Sequence, residues 1–249
     1  MKNSRLNYSY ACVQLLCAIM FCSFQSIAQS GNDSIIYQKA IAASIENYNL
    51  AIKENLGLYN APQYLFVSKQ SAGFPFWKSD TLVNGSVNYN NIYYNNVPLK
   101  YDLASQLIVT ADYSHSVLLA LLNEKIESFT IGNHQFYNLD ASAGRYKNIN
   151  AGFYEKLYTG KINIWGKYEK KLKHALSAED QTEKFIESDQ YYIQVGNTFS
   201  LITEKADVIN ALKNNDAVKT FITDNKLRFE NTVADDLIKT AMFYEKLNN

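Results

Sequence analysis

Two hydrophobic periods divide this chain. Over residues 64–139 apolar side chains recur at every second position. Val83, Val87 and Tyr89 alternate with polar neighbours up to Asn90-Asn91, and the chain returns through Tyr93, Val97, Leu99, Tyr101 and Leu103. Period two predicts half-buried strands, and an Asn pair suits a tight hairpin turn. Pro98 falls on the opposite phase, which suits an edge or a bulge. Leu107-Ile108-Val109 and the run VLLALL at 117–122 are apolar on both phases, the pattern of strands covered on both faces. Residues 127–131 and 134–138 predict a hairpin around Gly132-Asn133. Further strands are expected at 153–158, 161–165, 190–195 and 198–202, with Gly160 and Gly196-Asn197 as turns. Residues 166–176 fit either a longer hairpin strand or a short helix.

The period lengthens toward both ends. Tyr37, Ile41, Ile45, Tyr48 and Ile52 form one stripe of a predicted helix that Asp33 or Ser34 can cap and Gly57 can stop. Three helices are expected at the other end. Val208, Ile209 and Leu212 mark the first, and Val218, Phe221 and Ile222 the second. The third starts at Thr232, pairs it with Asp235 as in a capping box, and buries Leu237, Ala241, Tyr244 and Leu247. No repeat, Pro-rich hinge or low-complexity linker divides these elements. The fold class expected is α+β: a twisted antiparallel β-meander or half-barrel covered by an N-terminal helix and C-terminal helices.

The first residues change the compartment. Lys2 and Arg5 precede an apolar run at 11–24, and Ser26-Ile27-Ala28 gives a small-x-small triplet, the three parts of a secretory signal peptide. The run falls short of the roughly 20 apolar residues that a spanning helix needs. Residues 1–28 are therefore expected to be a signal peptide, and residues 29–249 a single domain in the periplasm or at the cell surface. Ile19 suits a lipoprotein signal before Cys22, but Met20 and Phe21 are too large for one. Cys12, Cys17 and Cys22 all lie in the leader, so the body carries no thiol chemistry and no disulfide. Without Lys2 and Arg5 the net charge falls from +0 to −2, which argues against a nucleic-acid partner. Tyrosine is abundant, 19 in the whole sequence, as befits pleated half-buried surfaces. Asn32-Asp33-Ser34 and Asn84-Gly85-Ser86 match the glycosylation sequon and are read as turn chemistry.

Several segments together resemble a family of uncharacterised exported proteins of Gram-negative bacteria. They are Gly85-Ser86-Val87-Asn88-Tyr89, YYNNVPLKYDL at 93–103, ESFTIGNHQFYNL at 127–139, GFYEKLYTG at 152–160, YYIQVG at 191–196 and AVKTFITDNKLRF at 217–229. The resemblance implies export and a sheet-plus-helices domain, and no activity.

Catalytic motifs are sparse. Asp112 and His115 place a carboxylate near an imidazole, but a metal needs three or four converging ligands, so the pair reads as a turn. There is no Gly-x-Ser-x-Gly elbow, P-loop or Gly-x-Gly-x-x-Gly, and Ser142-Ala143-Gly144 reads as a small-residue turn. No catalytic residue, metal or cofactor is assigned. The ligand or interface candidates are aromatic: Phe74, Phe76 and Trp77, flanked by Gly73 and Pro75, and Trp165 and Tyr168 alongside the lysine-rich stretch 167–174. The first three serve equally as a plug closing one end of the sheet, and the lysines either rest on anionic headgroups or form a solvated face. The function expected is a non-catalytic binding or scaffolding module with an unknown protein partner. A carrier of an apolar ligand, lipid or acyl chain, in a half-barrel cavity is the alternative, and a hydrolase the third reading.

Overall fold

In the computed structural model the structure describes residues 37–41, 43–44, 57–66, 71–140, 144–173, 183–213, 215–230 and 233–247. The leader with its three cysteines, the sequon at Asn32, most of the first expected helix, Ser142, His174 and Thr232 lie outside the described residues. The chain divides into two compact units at Ile52/Lys53. In the first, residues 37–41 and 43–44 are helical, as the apolar spacing there predicts.

Among the described residues the second unit carries eleven strands. These are β1 (Ser71–Ala72), β2 (Val83–Tyr89), β3 (Ile92–Asp102), β4 (Leu107–Ala111), β5 (Leu118–Ala120), β6 (Ile126–Ile131), β7 (His134–Leu139), β8 (Gly152–Tyr158), β9 (Asn163–Lys173), β10 (Glu183–Val195) and β11 (Thr198–Ile202). They form one sheet in the order β1-β10-β9-β8-β7-β6-β2-β3-β4-β5, with β11 also paired to β10. Every pair is antiparallel except β1 with β10. Three helices follow: α1 (Lys205–Ala211), α2 (Asp216–Asp224) and α3 (Val233–Leu247). The fold is α+β, a twisted antiparallel meander with a half-barrel.

Turn chemistry sets the meander. Asn90 and Asn91 take φ of 55° and 61°, the left-handed pair that a two-residue hairpin between β2 and β3 requires. A bulge then corrects the expected phase of β3. Asn96, at φ 55°, is the extra residue where the β2–β3 register shifts. Before it Tyr94 faces the core and Tyr93 is 58% exposed; after it Val97, Leu99 and Tyr101 face in, as the alternation predicts. Pro98 sits beside this bulge. Asn84-Gly85-Ser86, expected as a turn, is instead the interior of β2. A side chain at Gly85 would put its Cβ 1.9 Å from the Thr130 carbonyl oxygen, so only glycine lets β6 approach there. The stretch after Gly166 resolves as strand, since β9 runs on to Lys173.

The sheet curls until its members meet. Lys170 on β9 donates its N–H to the carbonyl of Leu103 just after β3 (3.1 Å), although four strands separate β9 and β3 in the order. Residues 73–79 form a strap across that closure. Trp77 N–H donates to Tyr101 O (2.8 Å), Leu103 N–H to Pro75 O (2.9 Å), and the Lys170 ammonium to the carbonyls of Phe74 (3.2 Å) and Phe76 (2.8 Å). The barrel interior is filled. Tyr101, Phe129, Phe136 and Phe153 are at most 2% exposed and meet edge-on or stacked at ring distances of 4.7–5.8 Å, geometries that aromatic quadrupoles favour. On the opposite face of β7–β11, Tyr154, Trp165, Tyr192 and Phe199 make a second aromatic cluster, flanked by Tyr146 and Ile149. The helices pack a third, aliphatic core onto β8–β11, with Ile164 and Ile193 from the sheet and Val208, Val218, Ile222, Leu237 and Ala241 from the helices. Leu247, expected inside with that helix stripe, is 43% exposed.

Candidate functional site

The five aromatic candidates part company. Phe76 packs with Tyr64, Val109 and Ala120, with Phe74 against the same cluster. Lys100 Nζ stands 3.8 Å from the Phe76 ring centre and Lys170 Nζ 4.7 Å from that of Phe74, cation–π contacts that pin the strap. Trp165 faces the other side of the sheet and donates its indole N–H to Gln194 (2.7 Å). Trp77 and Tyr168 come together apart from these, with ring centres 6.1 Å apart.

Around that pair lies a polar cluster that the sequence did not single out. Strand register builds it: Phe136 on β7 faces Glu155 on β8, and Glu155 faces Gly166 on β9. Two residues along from Phe136 and from Gly166, on the same side of the sheet, stand His134 and Tyr168. The Tyr168 hydroxyl donates to one Glu155 oxygen (2.5 Å), and His134 Nδ1 contacts the other. Lys78 of the strap donates to His134 Nε2 (3.2 Å) and lies 4.3 Å from the Trp77 ring centre. An ammonium has no lone pair, so Nε2 must accept, and the imidazole proton stays on Nδ1 facing Glu155. Glu155 is 4% exposed. Burial, and then the bond to Glu155, hold the Tyr168 hydroxyl far above the usual phenol range. A carboxylate–imidazole pair of this kind can hold and orient a proton. Here both carboxylate oxygens and both ring nitrogens are engaged within the cluster, which joins three strands to the strap.

Gly166 makes the cluster possible. A Cβ there would come 2.7 Å from the Tyr168 hydroxyl oxygen and 3.0 Å from the ring carbon bearing it. Tyr168 folds back over the bare backbone to reach Glu155 across the ladder. Gly166→Ala is expected to push the hydroxyl off Glu155 and destabilise the fold by about 1–3 kcal/mol, the usual cost of overpacking. Urea unfolding checks it, and Gly166→Ala combined with Tyr168→Leu should recover part of the loss.

Asp112 and His115 form a turn, as the sequence reading expects. Asp112 accepts from the Ser114 hydroxyl (2.6 Å), Ser116 N–H (2.7 Å) and Val117 N–H (2.8 Å), bonds that hold its carboxyl below the usual range; His115 is exposed. Two of the lysines read as headgroup contacts or solvated face are buried. Lys167 pairs with Glu169 (3.3 Å) and Lys170 with Glu187 (3.0 Å), while Lys171 and Lys173 are exposed.

Open polar surface gathers elsewhere. β11 leaves β10 at the Ile202–Tyr191 pair, and beyond it a groove of about 580 Å³ runs beside Ser188–Tyr191 toward the start of α3. Asp189, Tyr191, Leu201, Thr203, Phe229 and Glu230 line it. A second recess of about 790 Å³ adjoins through Thr203 and Glu230 and is lined also by Glu204 and Arg228. The groove wall is built with strain. Phe229 holds φ at 58°, fixed because the N–H groups of Arg228 (3.1 Å) and Phe229 (3.3 Å) both donate to buried Asp236. Burial, then repulsion from Glu187, raises the Asp189 carboxyl above the ordinary range. Burial and the nearby Asp189 push the Tyr191 hydroxyl up to about 12. Sequence reading missed every one of these residues as a site, since only the departure of β11 and the return of the chain at 229–233 bring them together.

Among the described residues no group of three or more His, Cys, Asp or Glu side chains converges to hold a metal, and no helix is long and apolar enough to cross a membrane. Comparison with protein-family models, with curated proteins and with solved structures finds no match for the chain.

Proposed function

We propose that this protein is an exported, non-catalytic binding module of the periplasm or cell surface, and that its ligand site is the groove between β10–β11 and the start of α3. One observation carries the reading. The groove opens Asp189, Leu201, Thr203 and Glu230 to solvent beside a half-buried Tyr191 and over a buried Phe229, whereas the groups of the His134–Glu155 cluster are engaged with one another. Ligand sites of this kind combine an apolar wall with a few placed polar groups, here Tyr191, Leu201 and Phe229 with Asp189 and Glu230. The aromatic filling of the half-barrel supports a surface groove over an enclosed cavity for an apolar ligand. The leader pattern at 1–28 and the resemblance to exported proteins support the compartment.

A photo-crosslinking amino acid at Leu201, which is 42% exposed, tests the site in the native host. It is expected to yield one discrete adduct, while the same group at Tyr93, 58% exposed on the far hairpin, yields none. Equal labelling at both positions, or at neither, would overturn the assignment.

A further inference from the structure

We infer that the groove receives an extended, basic peptide segment that pairs with β10 as an added strand. This rests on the groove being the ligand site, and it names the ligand class. β10 is paired along one side with β9 from Lys184 to Gln194. Along its other side β1 covers only Glu183 and Lys184, and β11 only Tyr191 to Val195. Between them, among the described residues, Phe185 to Gln190 have no backbone partner on that side. Six residues of strand span about 20 Å at roughly 3.3 Å each. Alternate residues turn both N–H and C=O to one side, so roughly three donors and three acceptors face outward. An open edge of this kind is a template for another extended chain. Natural edges are guarded by short strands, bulges or charges; this one has no bulge, and its guard is the charge of Glu187 and Asp189.

The groove continues the track that β11 vacates. A strand added beside Ser188–Gln190 would run on into the space lined by Leu201, Thr203 and Phe229. Charge selects which strand. Glu187 and Asp189 stand two residues apart on one face of the edge, and Glu230 lines the groove. Lys170 reaches Glu187, yet that side chain remains 63% exposed. The Glu187 and Asp189 carboxylates repel each other, which a cationic side chain on the incoming strand relieves. A second copy of β10 would instead bring the same two carboxylates against themselves, so an acidic edge disfavours self-pairing and favours lysine or arginine. Arg228 belongs to the adjoining recess and lies with Glu204 and Glu230 there.

The test uses the full chain and three kinds of fluorescent hexapeptide, read by anisotropy at low salt. The first alternates lysine with valine. The second replaces lysine by glutamate, and the third is the lysine peptide N-methylated at alternate residues, made in both phases. The lysine peptide is expected to bind, with N-methylation in one phase weakening it about tenfold or more and the glutamate peptide failing to bind. Asp189→Lys should weaken the lysine peptide by a similar factor. Equal binding of all three peptides, or indifference to Asp189→Lys, would overturn the added-strand inference. The groove itself is judged separately by Leu201→Arg and by the crosslinker at Leu201. If these block and label bound peptide while N-methylation has no effect, the groove stands and the strand pairing fails. If the crosslinker joins two copies of the chain, or the chain to itself, the peptide partner is wrong.

Discussion

A chain carrying Phe136→Ala is expected to lose about 3–5 kcal/mol of stability, the range for truncating a fully buried phenylalanine. Phe136 is 0% exposed, stacks on Phe129 with ring centres 4.7 Å apart, and meets Trp77 edge-on at 5.2 Å and Tyr101 at 5.7 Å. Phe129 and Tyr101 hang from different strands whose spacing the hydrogen-bond ladder fixes, and the bond from Trp77 N–H to Tyr101 O holds the strap over them. They cannot collapse inward, so the cavity term persists alongside the lost transfer energy. Urea unfolding with an unchanged slope would report the loss as a shift in midpoint. Met242→Ala on α3 is the control, since that side chain is 50% exposed and its loss should cost under about 1 kcal/mol. The result bears on function as well as stability. A loss for Phe136→Ala as small as the control's would mean that the half-barrel is loosely filled, and the carrier of an apolar ligand would regain its room.

The alternation of apolar and polar residues made most of the sheet legible. The β2–β3 and β6–β7 hairpins, β8, β11 and the three C-terminal helices lie where period and turn residues place them. Failures occurred where pairing overrides local pattern. Tyr93 follows the expected phase on paper, but the bulge at Asn96 hands its place to Tyr94, and nothing in YYNNVP distinguishes the two. The first half of β10, EKFIESDQ at 183–190, is too polar to read as a strand, because one of its edges is open and most of its side chains are exposed. Lys167 and Lys170 read as surface charges; their burial depends on Glu169, Glu187 and two strap carbonyls, the second pair nearly a hundred residues upstream. The site fared similarly. Trp77 and Tyr168 were visible as aromatics, but their partners His134 and Glu155 were not, because only the registers 136–155 and 155–166 bring an imidazole from the start of one strand beside a carboxylate in the middle of the next. The groove had no local signature at all.

Glu155→Ala is expected to cost about 2–4 kcal/mol, chiefly through what it leaves behind. Truncation strands the Tyr168 hydroxyl and the His134 Nδ1 proton beside an apolar wall, and each buried donor without a partner costs about 1–3 kcal/mol. The Tyr168 hydroxyl bears most of this, because its residue is 9% exposed, whereas the His134 side chain is 39% exposed and finds water. Tyr168→Phe alone should therefore cost only about 1 kcal/mol, since the carboxylate keeps His134. The double change should cost less than the sum of the singles: with the hydroxyl gone, alanine at 155 orphans only the half-exposed imidazole. That shortfall, read from a double-mutant cycle in urea, measures the coupling. Simple additivity would mean that Tyr168 and Glu155 do not share a bond in solution. The same variants separate latch from ligand site. Because the cluster ties β7, β8 and β9 to the strap, the folded fraction of Tyr168→Phe should still bind the lysine peptide as the parent does. Weakened binding by that mildly perturbed chain would extend the ligand site across the Tyr168–Tyr191 contact, where the two rings stand 6.4 Å apart, and would bring the carboxylate–imidazole pair into the binding surface.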